Sequence, residues 1–231
     1  RKRQQAIELT EQLIRSVFLD MFGDPVTNPK GWPIKKLQDV CLKITDGVHQ
    51  KPIYTNEGVP FISVKNITTG KLLFEDCKFI SKEAHEKYFK RCNPEYLDIL
   101  YTKVGATYGR PAIVDVWEEF SLYVSVALIK PNKGLINSYF LKEALASPAL
   151  KHQADRSIKG MGVPDLHLIE IKSFLVAVPP MEVQDEFVRK AEKIIKKLEI
   201  LNRSLKHVED MFNALTQQAF RGELTKQTKA A

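Results

Sequence analysis

The strongest constraint on this chain lies near its C-terminal end. Between Pro180 and Gly222 the residues Phe187, Ala191, Ile194, Leu198, Leu201, Leu205, Val208, Phe212, Leu215 and Ala219 are all apolar, at spacings of 4, 3, 4, 3, 4, 3, 4, 3 and 4. No Gly or Pro interrupts them. A strict heptad seam of this length belongs to a helix that packs along another helix. Pro180 suits a first helical turn, and Glu182, Asp185 and Glu186 favour the positive end of the helix dipole. Arg189, Lys190, Lys193, Lys196 and Lys197 fill the flanks. A helix over residues 181–221 would be about 60 Å long at 1.5 Å per residue. The residues from 25 to 180 should form a globule only about 40 Å across. The helix is therefore expected to overhang its own domain, with Ile194, Leu198, Leu201, Leu205, Val208, Phe212 and Leu215 as its helix-pairing residues. The other arrangement open to it is a terminal helix folded back on the core.

The first residues repeat part of this pattern. A shift of 198 places Ile7, Thr10, Ile14, Val17 and Met21 onto Leu205, Val208, Phe212, Leu215 and Ala219. The same shift matches Glu11 with Glu209 and Phe22 with Phe220, and both stretches end in a Phe, a Gly and an acid. A period this long is too great for a solenoid. It reads as a domain-plus-helix unit, of which one copy and the tail of a preceding copy are present. A first residue of Arg rather than Met agrees with a piece of a longer chain.

Turn residues divide the rest. Gly23-Asp24-Pro25 and Asn28-Pro29-Lys30-Gly31 close the first segment, and Val178-Pro179-Pro180 opens the last. The expected organisation is a helical segment over 1–24, a globular domain over 25–180, a long helix over 181–221 and a flexible tail over 222–231. Of the net charge of +7, the globular segment carries +5, the last segment +2 and the first none. Such an excess favours a polyanionic partner only weakly. A hydrophobic content of 44% with 27% charged residues excludes wholesale disorder. No apolar run approaches the roughly 20 residues of a membrane span, so no membrane partner is expected. Three widely spaced cysteines, Cys41, Cys77 and Cys92, form no CxxC pair, which argues against a disulfide framework or zinc site and for a reducing cytoplasm.

The middle segment mixes element types. Strand-like runs cover Pro60 to Val64, Asp98 to Lys103, Ala112 to Val116, Phe120 to Lys130 and Ser173 to Val178. Helical patterns cover Lys82 to Arg91 and Ser138 to Ser147. The fold class expected is an α/β (α+β) globular domain joined to long helices of coiled-coil type. Polar loops are expected at Thr45 to Lys51, Lys65-Asn66, Gly105 to Arg110 and Arg156 to Gly162. Loops on a rigid scaffold are where recognition concentrates.

Two motifs imitate catalytic signatures. Pro164-Asp165 followed by Glu170-Ile171-Lys172 resembles the pattern of metal-dependent nucleases, but the four residues between Asp165 and Glu170 leave little room for convergence on one metal, and Leu166, Leu168 and Ile169 read as core. Asn93-Pro94-Glu95-Tyr96 echoes the Asn-Pro-Pro-Tyr motif of amino-methyltransferases, yet a Glu replaces the second Pro and no glycine-rich loop accompanies it. There is no Walker A, HExxH or GxSxG motif, and His49, His85, His152, His167 and His207 lack metal-ligand spacing. His49 alone sits in a polar loop, as a contact residue or a loop-structuring one. No catalytic constellation is legible, so the chain is read as a non-enzyme.

Several short motifs together carry a family resemblance. In order they are Met21-Phe22-Gly23-Asp24-Pro25, Gly31-Trp32-Pro33 leading to Leu37, and Thr45-Asp46-Gly47-Val48-His49. Gly58-Val59-Pro60-Phe61-Ile62 with Asn66-Ile67 follows, then Asp98-Ile99-Leu100-Tyr101 with Gly105 and Gly109-Arg110. Val178-Pro179-Pro180 with Gln184 opens the helix, and Ala219-Phe220-Arg221-Gly222-Glu223-Leu224 ends it. From about residue 13 to about residue 224 the chain resembles the DNA-specificity subunit of type I restriction-modification systems, namely one target-recognition domain with its spacer helices. It departs from the family at Val183, where an acid is usual before the Gln.

The resemblance implies a non-catalytic subunit with two recognition domains joined by antiparallel helices, each reading half of a split target in double-stranded DNA. It implies modification subunits that methylate adenine with S-adenosylmethionine, and restriction subunits that use ATP and Mg. No cofactor is expected on this chain. Residues 1–22 then look like the end of a central spacer and 181–221 like the distal one, with a second recognition domain supplied in cis or by self-pairing. Candidate DNA contacts are Thr45, Asp46, His49, Lys51, Lys65, Asn66, Tyr108, Arg110 and Lys159. Arg110 could take a guanine bidentately and Asn66 an adenine. Gly47, Gly105 and Gly109 would allow turns or close backbone approach. The rival from another class is a non-DNA α/β scaffold that uses its helix for protein assembly, with a nuclease fusion as a third option.

Overall fold

The computed structural model describes residues 2–24, 28–158 and 162–221. In chain order the elements are α1 (Lys2–Phe22), β1 (Ile34–Lys36), β2 (Cys41–Asp46), β3 (Val59–Ile62), β4 (Lys78–Ile80), α2 (Lys82–Phe89), β5 (Ile99–Thr102) and β6 (Pro111–Ile113). They continue with β7 (Ser121–Leu122), β8 (Val126–Pro131), α3 (Ser138–Ala146), α4 (Pro148–Ser157), α5 (Leu168–Ser173), β9 (Leu175–Ala177) and α6 (Met181–Phe220). Two compact units result: Phe18–Val188, and the helical residues flanking it on either side.

The globular unit is built on an antiparallel sheet of order β2-β8-β5-β6. β5 and β8 are buried at every position, so their apolar runs are continuous rather than alternating. Leu100, Val126 and Leu128 pack with Ile62, Leu122, Phe120, Ala112 and Val114 in one core. The second, smaller sheet, β4-β3-β7, contributes Ile62 and Leu122 to it. A two-stranded ribbon, β1 with β9, closes the chain's entry against its exit.

Register decides what lies together. Asp46 at the end of β2 pairs with Ala127, Thr102 at the end of β5 pairs with Val126, and Tyr101 pairs with Pro111 at the start of β6. The chain therefore leaves β2 and β5 and enters β6 and β8 at one edge of the sheet.

Where expectation and structure differ, the cause is usually non-local pairing. Thr45 and Asp46 lie inside β2, not in a loop, because β8 pairs with both. The run from Phe120 to Lys130 is two strands. Its first part pairs in parallel with β3, then Val126 N donates to the Tyr123 carbonyl (3.0 Å) in a turn that sends the chain into the other sheet. Lys65 and Asn66 occupy a short 3-10 turn, and Arg156 and Ser157 belong to α4, which Ser147 caps. Ser173 ends α5 rather than starting a strand, and Ile169, read as core, is 70% exposed on α5.

Within the globular unit, the end of α1 and the start of α6 share one aromatic packing. Phe18 and Phe22 near the end of α1, Phe140 on α3 and Phe187 near the start of α6 form one cluster, with ring centroids 4.8–5.6 Å apart. Gln184 is fully buried; its Oε1 accepts from Asn137 N (2.8 Å), and its Nε2 donates to the Pro179 (2.8 Å) and Leu135 (3.3 Å) carbonyls. That lock fixes where α6 begins.

In the helical unit, Ala191, Ile194 and Leu198 are half-buried, while Leu201, Leu205, Val208, Phe212 and Leu215 are between 41% and 67% exposed. These last positions are an apolar stripe in solvent, not core.

Candidate nucleic-acid interface

The edge where β2, β5, β6 and β8 meet gathers segments that are far apart in sequence. Beyond β2, Gly47 passes so close to the next strand that a Cβ there would lie 2.0 Å from the Leu122 carbonyl oxygen, a contact only glycine permits. Val48 N donates to that carbonyl (2.9 Å) and Val124 N donates to the Val48 carbonyl (3.0 Å). The 47–51 loop is thereby tied to the 123–125 turn, with His49 and Lys51 exposed. Ser125 extends the connection: its Oγ accepts from Val64 N (3.3 Å), seating the turn that carries exposed Lys65.

The 103–110 loop is folded on itself. Thr102 Oγ1 donates to the Thr107 carbonyl (2.6 Å) and accepts from Arg110 N (2.9 Å), and Gly109 N donates to the Thr102 carbonyl (2.8 Å). Gly105 and Gly109 both take left-handed backbone, at φ +87° and +83°. Tyr108 donates its hydroxyl to Asp155 Oδ1 (2.6 Å), and the Lys151 ammonium, ion-paired to Asp155, lies 3.7 Å from the Tyr108 ring centroid. The Lys151 and Tyr108 hydrogen bonds hold the Asp155 carboxyl below the usual carboxylate range. Arg110 is exposed and anchored through Nη1 to the Thr68 carbonyl (2.7 Å). The segment 164–166 pairs alongside, with Leu166 N donating to the Lys103 carbonyl (2.8 Å) and Gly105 N to the Pro164 carbonyl (2.9 Å).

Two of the candidate DNA contacts are otherwise engaged. Asn66 is buried, and its whole amide serves the fold: Oδ1 accepts from Ser63 N (3.1 Å) and Oγ (3.3 Å), while Nδ2 donates to the Leu73 (3.1 Å) and Glu75 (3.5 Å) carbonyls. As folded, it has nothing left for an adenine. Asp46 is also buried, and its carboxylate meets Arg91 Nη2 (2.7 Å), His49 Nε2 (3.3 Å) and Lys103 Nζ (3.4 Å). Thr45 is buried in β2. Lys159 lies outside the described residues. What remains outward at this edge is His49, Lys51, Lys65, Tyr108 and Arg110.

Sequence reasoning missed several partners. Arg91 projects its guanidinium from Asp46, and its carbonyl accepts from Lys43 Nζ (2.6 Å). Tyr54 has the Lys51 and Lys78 ammonium groups each 6.0 Å from its ring centroid, and an aromatic row runs from it through Phe61 to Tyr123. Lys103 directly follows β5 and closes the strand-like run legible in the sequence. Asp46, Asp155 and Asp165 at this edge are each ion-paired, and the exposed Lys51, Lys65 and Arg110 add positive charge beside them.

Other chemistry finds no footing among the described residues. His85 lies between Ser121 Oγ (3.0 Å) and Glu119 Oε2 (3.2 Å), in the order of a hydrolase triad, but Ser121 is fully buried and no substrate reaches it. No group of three or more His, Cys, Asp or Glu side chains is placed to hold a metal among the described residues. Burial pushes the Cys41 and Cys92 thiols up to about 12, far from a reactive thiolate. No described helix is long and apolar enough to cross a membrane.

Comparison with known proteins places this architecture. Residues 29–210 match the family described as type I restriction modification DNA specificity domain. The chain belongs to that family. The EcoBI specificity subunit of Escherichia coli is 32% identical over 188 residues, covering 80% of this chain and 39% of the relative. The EcoKI specificity subunit of Escherichia coli strain K12 is 26% identical over 217 residues, covering 87% of this chain and 46% of the relative. Two solved structures share the fold: the HsdS subunit from Thermoanaerobacter tengcongensis, at TM-score 0.59 and 19% identity, and a chain solved to explain complex assembly and conformational transition of the type I R-M system, at TM-score 0.64 and 20% identity. Each match covers 96% of this chain and 54% of the other. This specificity domain thus spans about half the length of the relatives it matches.

Proposed function

We propose that this chain is one DNA-reading half of a type I specificity subunit. It recognises one part of a split target in double-stranded DNA and has no catalytic step of its own. The observation that carries the reading is the convergence of four strand ends, which puts exposed Lys51, Lys65, Arg91 and Arg110 beside loops held by paired or buried acids. Cations of this kind neutralise phosphates and set register, and side chains from the same loops read base edges. Arg110 suits a guanine in the major groove, its guanidinium carried at the base of the 103–110 loop.

α6 supplies the second function, a ruler. Its exposed seam from Leu201 to Leu215 supports pairing with the helix of a second recognition domain, in cis or from another copy. Modification and restriction subunits would dock on the assembled subunit and bring S-adenosylmethionine, ATP and Mg with them. Its place of action on this reading is the cytoplasm.

Filter binding across a salt series tests this reading. Log K against log salt should fall with a steep negative slope, near −0.9 per phosphate contacted. A flat line would favour the scaffold alternative. Arg110→Ala should weaken binding to the selected sequence more than to random duplex; equal losses would reduce Arg110 to a phosphate contact.

A further inference from the structure

Lys103 is the buried charge at the centre of the reading edge. Its side chain is 7% exposed, and its Nζ lies 3.4 Å from Asp46 Oδ2 and 3.8 Å from Asp165 Oδ1. The two carboxylates belong to β2 and to the segment after the 159–161 stretch, 119 positions apart in sequence. Each reaches onward to the surface. Asp46 Oδ1 holds Arg91 (2.7 Å) and His49 (3.3 Å), and Asp165 Oδ2 lies 3.6 Å from His167 Nε2. The backbone of Lys103 is equally shared, its N donating to the Ser125 carbonyl (3.0 Å) and its carbonyl accepting from Leu166 N (2.8 Å). One residue therefore contacts the 46–49, 123–125 and 164–167 segments and begins the 103–110 loop.

The polar balance at this point is unusual for a core. Asp165 Oδ1 is buried and has no hydrogen-bond partner, so the ammonium at 3.8 Å is its compensation. Lys103 and Asp46 are buried while the Asp165 side chain is 42% exposed, and a buried ion pair yields little net stability against an apolar replacement, because desolvation offsets the attraction. What such a group does well is select one arrangement among several of similar energy. Apolar packing alone would let three loops slide against each other by small distances. A single cation between two carboxylates penalises each slide.

We infer that Lys103 is a positioning residue for base reading: it fixes the relative placement of the 46–49, 103–110 and 164–167 segments, so that sequence discrimination, rather than DNA affinity as such, depends on it. This rests on the DNA-recognition reading above. Lys103 does not itself touch DNA, since its ammonium is enclosed.

The test uses the whole specificity chain in complex with its modification subunits. Wild type, Lys103→Met, Asp165→Asn and Val114→Ala are each used to select from a pool of randomised duplexes. Their affinities for the selected and a random duplex are measured with thermal stability alongside. Lys103→Met should bind the selected duplex about tenfold more weakly, the loss of one misread base pair, and random duplex within about twofold of wild type. Its selected consensus should become degenerate. Asp165→Asn, which keeps the shape and removes one arm of the triad, should move the same way by a smaller factor, and it decides the matter if Lys103→Met does not fold. Val114→Ala, a core change away from the triad, should lower stability and leave the consensus intact. An unchanged consensus in Lys103→Met and Asp165→Asn, or equal losses on both duplexes, overturns the inference while the DNA reading stands. A wild type that selects no consensus overturns the DNA reading and this inference with it.

Discussion

Replacing Asn66 separates two roles that a sequence cannot distinguish. An asparagine beside a lysine in a polar stretch is what an adenine reader looks like, and the structure instead makes it the clasp of the 63–75 turn. Its Oδ1 bond to Ser63 N and its Nδ2 bond to the Leu73 carbonyl are both 3.1 Å long, and two weaker bonds at 3.3 and 3.5 Å support them. Two good hydrogen bonds contribute about 1 kcal/mol each, and a partly buried Ser63 N–H left without an acceptor adds about 1 kcal/mol more. Asn66→Ala should therefore cost about 3 kcal/mol. For a domain of this size that is a fall of about 6–12 °C in Tm. Circular dichroism during heating and in urea measures it, and the urea midpoint should drop with no change in slope. Below the new Tm, binding to selected and random duplex should change by the same factor. The reasoning is refuted if Tm stays within about 1 °C of wild type while binding to the selected duplex alone is lost.

Along α6 the two halves of the seam should respond oppositely. Phe187→Ala, in the fully buried aromatic cluster, is expected to cost about 3–5 kcal/mol and to melt the globular unit early by calorimetry. Leu201→Asp with Leu205→Asp should leave that transition in place and abolish self-association or subunit assembly by light scattering; loss of the globular transition would mean that the seam is core. The contribution of the Tyr108–Asp155–Lys151 group should be present near neutral pH and lost in acid. Because the Asp155 pKa is lowered in the fold, its contribution is present above the ordinary carboxylate range and disappears as pH falls through the folded value. Asp155 is largely exposed, so Asp155→Asn should cost no more than about 1 kcal/mol near neutral pH and should flatten the stability profile on the acid side of that range.

Much of the fold was legible because it is written locally. A heptad seam is a contiguous pattern, and the helix observed at Met181–Phe220 ends within one residue of the expected span at its far end. The continuous apolar runs of β5 and β8 and the capped patterns of α2 and α3 are likewise local. The division of the run from Phe120 to Lys130 into β7 and β8 escaped, because the parallel pairing of Ser121 and Leu122 with β3 leaves no local mark. The candidate site was half legible. Loops with glycines and cations, such as 47–51 and 103–110, could be seen, whereas Arg91, Lys103 and Asp165 could not, since nothing near them in sequence says that β2, β5 and the 164–167 segment share an edge.

The sequence by itself determined that a long amphipathic helix must exist, that the globule is mixed α and β, and that its cations accompany polar loops. Periodicity and composition are properties of neighbouring residues, and they survive without a fold. Only the tertiary structure decided which of those polar groups stay available. Burial against β8 spends Asp46 on Arg91, His49 and Lys103, a tight turn spends Asn66 on its own backbone, and aromatic packing spends Phe187 while leaving Leu201 to Leu215 in solvent. A side chain's chemistry is fixed by its type, but its freedom to act on a partner depends on which neighbours the fold has already brought to it.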